Sequence, residues 1–267
     1  MMKTIPKVLT IAGSDSSAGA GIQADLKTFM ALNVYGTSAV TSITVQNTQG
    51  IETVYDLPGY LVYEQIKSII TDIEIDAAKT GMLSNSDIIE NVASAIHEFN
   101  IRKLIIDPVL KAKDETNLLK ENSLNVFIQK LLPEALIITP NIFEAEILSG
   151  IKIISKEDMI KAAEKIFKLG PKCVVIKGGH LPFNNFVVDL IFTKDKIEYL
   201  ENPFIQTKNT HGIGCTFSAA ITANIAKEFD IFSSIKEARA YIQNALQNEI
   251  QIGKGFGPLN HGWQWQK

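Results

Sequence analysis

The sequence predicts an α/β protein in which helices cover both faces of a mostly parallel sheet. Short, almost continuously apolar segments at residues 8–12, 103–107 and 172–176 are typical of strands buried on both faces. Segments with apolar residues at helical spacing separate them, and no internal repeat or low-complexity linker interrupts the alternation. We therefore expect right-handed connections and a single domain over residues 1–267.

The elements follow one another in a regular order. Strands are predicted where β-branched or small apolar residues run together: residues 8–12, 38–45, 77–81, 103–107, 136–139 and 172–176, with a hairpin at 187–192 and 196–200. Helices are predicted where apolar positions recur three and four apart: residues 22–32, 63–73, 86–99, 123–132, 142–149, a segment opened by Ser155, 216–229 and 233–253. Ser155 with Asp158 approximates a capping box.

Composition and charge exclude several classes of function. The net charge of −3 and the pI near 5.9 provide no long-range attraction for nucleic acid or for anionic membranes. Two cysteines are too few for a disulfide framework, no Cys/His pair has zinc-site spacing, and no stretch approaches the roughly 18 apolar residues of a membrane span. We expect a cytoplasmic protein with a small-molecule substrate, no nucleic-acid or membrane partner, and a homodimeric assembly.

Polar residues and glycines follow most of the predicted strands. Ligands of open α/β sheets bind at the carboxyl ends of the strands, so these residues are candidates for one site. In chain order the candidates are Gly13, Gln46, Gly81 with Met82, Asp107, Asn141 with Glu144, and Lys177 followed by Gly178, Gly179 and His180.

The segment from His211 to Cys215 places two glycines before a helix rich in small residues. Glycine lets the backbone approach a ligand, and the first turn of a helix offers free amide groups to an anion such as a phosphoryl group in transit. A thiol at a helix start is expected to have a lowered pKa, so Cys215 is a candidate base. The alternatives are a glycine-rich helix start that binds nothing, a packed Cys215 and a His211 that only satisfies its loop. Cys173, inside an apolar strand, is expected to be inert.

Asp107 and Glu144 are the candidate magnesium ligands, because Mg²⁺ bound to phosphates uses only one or two carboxylates. Glu144 has an alternative role, since Asn141 and Glu144 also form a capping-box pattern that needs no metal. Lys177 and Asn141 are candidate ATP-binding residues, with the lysine neutralising a phosphate.

The amino-terminal half supplies the candidate substrate pocket. Asp15, Asp25 and Gln46 are expected to face one cavity, and the amide of Gln46 suits an amino-substituted heteroaromatic ring. Asp25 could instead interact with the helix dipole, and Met82 could pack on a ring or belong to the core.

The motifs that follow these strands match a known family. They are residues 9–15, 19–28, 46–48, 79–83, 107–109, 139–141, 177–180 and the turn at 211–215. On these motifs the chain resembles the hydroxymethylpyrimidine/phosphomethylpyrimidine kinases of thiamine biosynthesis, which have a ribokinase-like three-layer fold, and the likeness runs over nearly the whole chain.

The resemblance implies ATP- and magnesium-dependent phosphorylation of 4-amino-5-hydroxymethyl-2-methylpyrimidine, and then of its monophosphate. It assigns the pyrimidine to Gln46, Asp25, Met82 and the backbone of Gly13 and Thr44, magnesium to Asp107 and Glu144, and ATP to Asn141 and Lys177. Cys215 takes the catalytic-base position, and the amides of Gly212, Ile213 and Gly214 stabilise the transferring group.

Two departures from the family pattern bear on activity. Ile213 stands where threonine is usual, which removes a hydroxyl but keeps the amide, and Asp114 with Glu115 replaces a Ser-Gly pair. If that loop closes over phosphates, its carboxylates are expected to disfavour the anionic second substrate.

Three other functions compete with this assignment. A pyridoxal kinase is the nearest, although relatives with that activity tend to carry methionine in place of Gln46. A nucleotide sensor without catalysis is the second. A dinucleotide-binding dehydrogenase fails, because no Gly-x-Gly-x-x-Gly loop follows the first strand.

Overall fold

A single nine-stranded sheet runs through the computed structural model, which describes residues 5–111, 118–120, 122–179 and 185–265. The strands, in chain order, are β1 (Lys7–Asp15), β2 (Tyr35–Asn47), β3 (Gly50–Asp56), β4 (Ala77–Thr80), β5 (Leu104–Ile106), β6 (Ile137–Ile138), β7 (Cys173–Ile176), β8 (Phe186–Thr193) and β9 (Ile197–Pro203). Their order across the sheet is β3-β2-β1-β4-β5-β6-β7-β8-β9. Six neighbouring strands of the sheet, β2, β1, β4, β5, β6 and β7, run parallel to one another. The strands β3, β8 and β9 pair antiparallel at the two edges.

Helices cover both faces of this sheet. They are α1 (Gly21–Ala31), α2 (Gly59–Ile70), α3 (Ser86–Glu98), α4 (Ser123–Val126), α5 (Ile142–Ser149), α6 (Lys156–Phe167), α7 (Ile213–Ala226) and α8 (Ile231–Gln247). Buried side chains of α2 to α6 form one core cluster against the sheet, and those of α1, α7 and α8 form a second cluster on the opposite face. The mostly parallel three-layer sandwich predicted from the sequence is confirmed.

The central strands feed both clusters because successive side chains of a strand point to opposite faces. Leu104 and Ile106 of β5 belong to the first cluster, and Ile105 between them belongs to the second. On β7, Cys173 is fully buried in the second cluster, where burial raises the pKa of its thiol to about 12. Cys173 is therefore a core residue, as its apolar strand indicates.

Several elements differ from the sequence prediction, including α2, which begins at Gly59 rather than at 63. Strand β3 was not predicted, because an edge strand that is largely exposed carries few apolar residues. Helix α7 begins at Ile213 rather than 216, since Gly214 is tolerated in a first turn. The segment predicted as one helix at 123–132 is α4 followed by a π-helical turn and a 3₁₀ turn, and α8 ends six residues before Gly253.

The register of the parallel strands aligns their carboxyl ends. Ile11 lies opposite Thr80, Thr80 opposite Ile106, and Ile106 opposite Ile138. From β1 the chain adds β2 and β3 on one side of the sheet and then β4 and the later strands on the other side, so the strand order reverses between β1 and β4. Helix α7 packs over β1, β4 and β5. The start of α7 consequently lies at the topological switch point, where such sheets bind ligands.

Among the helices that the structure describes, none has the length and apolar character required to cross a lipid bilayer.

We predict that Ile88→Ala lowers the free energy of unfolding by about 2–5 kcal/mol, because it leaves a cavity in the first core cluster. Ile88 on α3 is 0% exposed. Ile154 is 75% exposed, so the matched change Ile154→Ala should alter stability by less than about 0.5 kcal/mol. Equilibrium denaturation of both variants measures the difference, and equal effects would contradict the burial described here.

Candidate active site

The turn before α7 is held in its conformation by a close backbone contact. Gly212 is the N-cap of α7 with φ +82°, a left-handed conformation that glycine adopts without strain. A methyl group on Gly212 would lie 1.9 Å from the carbonyl oxygen of Gly19, in the turn before α1. Glycine is therefore required at position 212 on both grounds, and the starts of the two helices are packed against each other.

The first turn of α7 presents amide groups that could hold an anion. Thr216 is the first residue whose amide bonds back into the helix, to the carbonyl of Gly212 at 2.9 Å. The amides of Ile213, Gly214 and Cys215 precede it and have no partner in the preceding turn of the helix. The Ile213 side chain packs against the second core cluster, so only its backbone is placed to serve a ligand.

Asp107 and Lys177 lie directly beside this turn. The Lys177 Nζ is 2.9 Å from Asp107 Oδ1, and a methyl group on Gly214 would lie 3.3 Å from both Asp107 Oδ2 and Lys177 Nζ. Thr139 Oγ1 donates to Asp107 Oδ1 at 3.3 Å. The structure thus brings three candidates from separate parts of the chain into one cluster, with an amide turn, a carboxylate and an ammonium group side by side.

Glu144 occupies the edge of this cluster and also caps α5. Its Oε2 accepts from the amide of Asn141 at 2.8 Å, and the Asn141 side chain accepts from the amide of Glu144 at 2.9 Å, so the capping box is formed. Burial raises the pKa of Glu144 to about 7, opposed by Lys177 and reinforced by the negative charge of Asp107. The two carboxylates are therefore close enough to repel each other.

Lys177 keeps its positive charge in this setting. Burial alone would lower its pKa, but the negative charges of Asp107 and Glu144 outweigh burial and raise the pKa of Lys177. Its backbone amide donates to the carbonyl of Pro140 at 2.8 Å, which fixes the strand end next to Asn141. A charged lysine at this point is suited to binding phosphate oxygens.

Sequence reasoning missed the residues that hold the turn after Lys177. The amide of Gly178 donates to Asp189 Oδ1 on β8 at 3.0 Å, and the other oxygen of Asp189 accepts from the Arg239 guanidinium on α8. Asp189 is fully buried, and Arg239 also lies over the Phe217 ring. The available signal was a single aspartate inside the apolar stretch of β8.

The environment of Cys215 corrects the expectation of a lowered pKa. Cys215 as a residue is half-buried, and burial of its thiol raises the pKa to about 12, with Lys79 opposing and Asp25 and Asp107 reinforcing the rise. A hydrogen bond from the Gly21 amide to the sulfur favours the thiolate but does not offset burial. The helix start alone is therefore insufficient to ionise this cysteine.

The sequence predicts that Asp25 faces the substrate cavity, and the structure contradicts this prediction. Its side chain is 0% exposed and pairs with Lys79, also 0% exposed, at 2.8 Å, while Thr10 Oγ1 donates to the other oxygen at 2.6 Å. It lies beyond the first turn of α1, so the helix-dipole alternative is also wrong. Asp25 holds Lys79 beneath the site, and the lysine was a second residue missed inside the apolar strand β4.

The remaining substrate candidates do meet on the amino-terminal side. Gly13 faces Met82, whose sulfur would be 3.3 Å from a methyl group at Gly13. Thr44 Oγ1 donates to the carbonyl of Ser14 at 3.0 Å and lies 3.0 Å from an amide atom of Gln46. Gln46 is partly exposed, which leaves part of its side chain available to a ligand.

His211 joins this group to the turn before α7. Its Nε2 is 2.8 Å from Asp15 Oδ2 and 3.2 Å from the amide of Gln46. Burial alone would raise the pKa of Asp15, but hydrogen bonds from His211, Ser17 and Ala20 lower it to about 2. His180, Asp114 and Glu115 lie outside the described residues.

The chain is similar over most of its length to known kinases of one family. The family model described as phosphomethylpyrimidine kinase matches residues 15–260. The hydroxymethylpyrimidine/phosphomethylpyrimidine kinase of Bacillus subtilis is 46% identical over 258 residues, which are 97% of this chain and 95% of that protein.

Two solved structures have the same fold. The phosphomethylpyrimidine kinase of Clostridium difficile is 41% identical with a TM-score of 0.81, covering 90% of this chain and 99% of that one. The ADP complex of Bacillus subtilis pyridoxal kinase is 40% identical with a TM-score of 0.89, covering 98% and 99%. The family match at residues 15–260 includes the site residues described above from Asp15 to Cys215.

We predict that Gly212→Ala destabilises the protein more than Gly150→Ala does. Both glycines have positive φ, so each substitution strains the backbone by about 1–2 kcal/mol, but only a methyl at 212 would collide with a carbonyl oxygen. Nothing lies within 4 Å of the corresponding position at Gly150. Chemical denaturation compares the two, and equal losses would show that the turn yields without cost.

Proposed function

The chain belongs to the phosphomethylpyrimidine kinase family, and from that premise we propose that it transfers the γ-phosphoryl group of ATP to 4-amino-5-hydroxymethyl-2-methylpyrimidine. The monophosphate formed at the hydroxymethyl group is then the acceptor of a second transfer, which yields the pyrophosphate used in thiamine biosynthesis. The observation that carries this proposal is the juxtaposition of the α7 amides with Asp107 and Lys177.

The role of the α7 amides is to stabilise the phosphoryl group during its transfer. Phosphoryl transfer depends mainly on positioning and on stabilising charge spread over the equatorial oxygens. The amides of Ile213 and Gly214 are already oriented by the helix, and that of Gly212 by the turn before it, so they meet that charge without reorganisation. Lys177 binds the phosphates of ATP from the adjacent strand end, and Asn141 supports it from α5.

Asp107 and Glu144 fit a magnesium site. Two buried carboxylates that repel each other are a donor set of hard oxygens, which a divalent cation stabilises. Within the described residues, no group of three or more His, Cys, Asp or Glu side chains is placed to bind a metal. The site would therefore rest on these two carboxylates together with phosphate oxygens and water. Magnesium bound there supplies charge neutralisation of the ATP phosphates.

Cys215 is the proposed acceptor of the substrate proton. As the hydroxymethyl oxygen bonds to phosphorus and the bond to the ADP oxygen breaks, the hydroxyl proton passes to the sulfur of the thiolate. Lys79, held by Asp25 beneath the site, favours that thiolate electrostatically. Because burial keeps the thiol protonated at rest, the reactive thiolate is a minor form at neutral pH.

The pyrimidine is proposed to lie between Met82 and the Gln46 amide, against the backbone of Gly13 and Thr44. Pyridoxal is a second candidate substrate, favoured by the similarity to the Bacillus subtilis pyridoxal kinase. Gln46 distinguishes the two, since pyridoxal lacks the amino group of the pyrimidine.

The assembly and location of the protein are further parts of the proposal. We propose one catalytic domain, located in the cytoplasm, that forms a homodimer. The exposed apolar side chains Ile43, Val45 and Tyr55 on β2 and β3 support an interface there.

We predict that magnesium-dependent ADP production rises when the aminopyrimidine alcohol is added, and that Cys215→Ala lowers the stimulated rate by about 10²- to 10⁴-fold. Cys173→Ala is the matched control, because that thiol is buried in the core, and it should retain the stimulated rate if the variant folds. Stimulation that is absent from the wild type would contradict the proposed function.

The raised pKa of Cys215 also predicts a pH dependence. Below a pKa of about 12, the thiolate fraction of Cys215 rises about tenfold with each pH unit. If the thiolate is the base, kcat/KM for the aminopyrimidine alcohol should rise steeply between about pH 7 and 9. The same profile for Cys215→Ser should lack this slope, and a flat wild-type profile would assign the proton to another acceptor.

A further inference from the structure

The pair formed by His211 and Asp15 touches the glutamine that is proposed to read the substrate. The Nε2 atom of His211 lies 2.8 Å from Asp15 Oδ2 and 3.2 Å from one terminal atom of the Gln46 amide. The other terminal atom of that amide lies 3.0 Å from Thr44 Oγ1. The Gln46 amide thus has His211 on one side and Thr44 on the other. The hydrogen-bonding needs of these two residues determine which end of the amide is the oxygen and which is the nitrogen.

Asp15 is able only to accept in this arrangement. The amide and hydroxyl of Ser17 donate to its Oδ1 at 2.8 and 2.7 Å, and the amides of Gly19 and Ala20 donate to its Oδ2 at 3.1 and 2.8 Å. These donors keep Asp15 ionised, with its pKa at about 2. The Nε2 of His211 must therefore carry a hydrogen and donate it to Asp15.

That hydrogen decides which way the Gln46 amide is turned. The oxygen and nitrogen of a glutamine amide exchange places by a half-turn, and only the surrounding hydrogen bonds choose between them. The structure places the amide nitrogen of Gln46 toward His211 and its oxygen toward Thr44, and with Nε2 of His211 protonated this sets two N–H groups facing each other at 3.2 Å. With the oxygen toward His211, that conflict disappears.

Thr44 supports the same orientation. Its hydroxyl has a single hydrogen but two neighbours, the carbonyl oxygen of Ser14 at 3.0 Å and the Gln46 amide at 3.0 Å, so it can donate to only one of them. When the Gln46 nitrogen faces Thr44, the hydroxyl donates to Ser14 and accepts from Gln46, so each contact is a proper hydrogen bond. One orientation therefore satisfies His211 and Thr44 together.

We propose that His211, held by Asp15, is a specificity-determining positioning residue that fixes the Gln46 amide with its oxygen on the His211 side and its nitrogen on the Thr44 side. The outer edge of the amide remains free to accept from a ring amino group and donate to the neighbouring ring nitrogen. This inference rests on the proposed function and names the chemical feature that the pocket selects, an amino group next to a ring nitrogen.

The orientation also agrees with the position of the chemistry. In the aminopyrimidine the order of groups around the ring is nitrogen, amino-bearing carbon, then the carbon that carries the hydroxymethyl group. With the amino group on the His211 side, the hydroxymethyl group follows toward Gly212 and Cys215, where the phosphoryl group is transferred. The reversed amide would direct it away from that turn.

The test compares two substrates, the aminopyrimidine alcohol and the same ring without its amino group, as the ratio of their kcat/KM values. His211→Phe keeps a planar ring but removes the donor, and we expect the ratio to fall about tenfold or more. In a Gln46→Ala background the same substitution should leave the ratio unchanged, because no amide remains to be oriented. If His211 had only a structural role, the substitution would lower kcat/KM equally for both substrates in both backgrounds.

Thr44→Val provides an independent variant, and it should also lower the ratio because it removes the acceptor of the Gln46 nitrogen. His97→Phe is the matched control, since the His97 side chain is 84% exposed at the far end of α3, and it should leave the ratio at the wild-type value. A wild-type ratio in both His211→Phe and Thr44→Val overturns the inference. A wild type that fails to phosphorylate the aminopyrimidine overturns the proposed function instead.

Discussion

The close approach of two glycine turns is the constraint on which the site depends. Gly212 and Gly19 meet at a distance that leaves no room for a side-chain carbon at position 212. From that contact follow the direction of α7, the position of Cys215 near the Gly21 amide, and the placement of His211 against Asp15. The proposed anion-binding turn and the proposed substrate pocket are consequently parts of one unit, although almost two hundred residues separate them in the chain.

Buried charges of alternating sign lie under and beside this unit. Asp25 pairs with Lys79 beneath the thiol, and Asp107 pairs with Lys177 beside the amides, with Glu144 as a third carboxyl at the edge. Each ammonium group offsets the desolvation of a neighbouring carboxylate, as buried ion pairs must to be tolerated. The resting site is nearly balanced in charge, which is consistent with the proposal that a cation accompanies the phosphates of ATP.

The strand-end rule predicted most of this geometry from sequence, because register in a parallel sheet aligns residues that follow equivalent strand positions. It placed Asp107, Lys177 and the glycine turn together correctly. It misjudged Cys215 and Asp25, since a motif states which residue follows a strand but not how much protein surrounds it. Burial determined both outcomes: it raised the pKa of Cys215 and left Asp25 with no exposed surface.

Interactions between elements far apart in the chain were beyond sequence reasoning for a related reason. The link from Gly178 through Asp189 to Arg239 joins a loop, an edge strand and the last helix, and no local spacing relates them. The signal for Asp189 was a charge where an apolar side chain was expected, and Lys79 carried the same signal.

Strand β2 has two faces with different duties. Thr44 and Gln46 face the proposed pocket, while Ile43 and Val45, which alternate with them along the strand, are 48% and 52% exposed. Because alternate positions face opposite ways, substitutions at one set leave the chemical surface of the other set unchanged. Substrate preference and the tendency of this surface to associate with other proteins can therefore change independently during evolution, even though both depend on the same short strand.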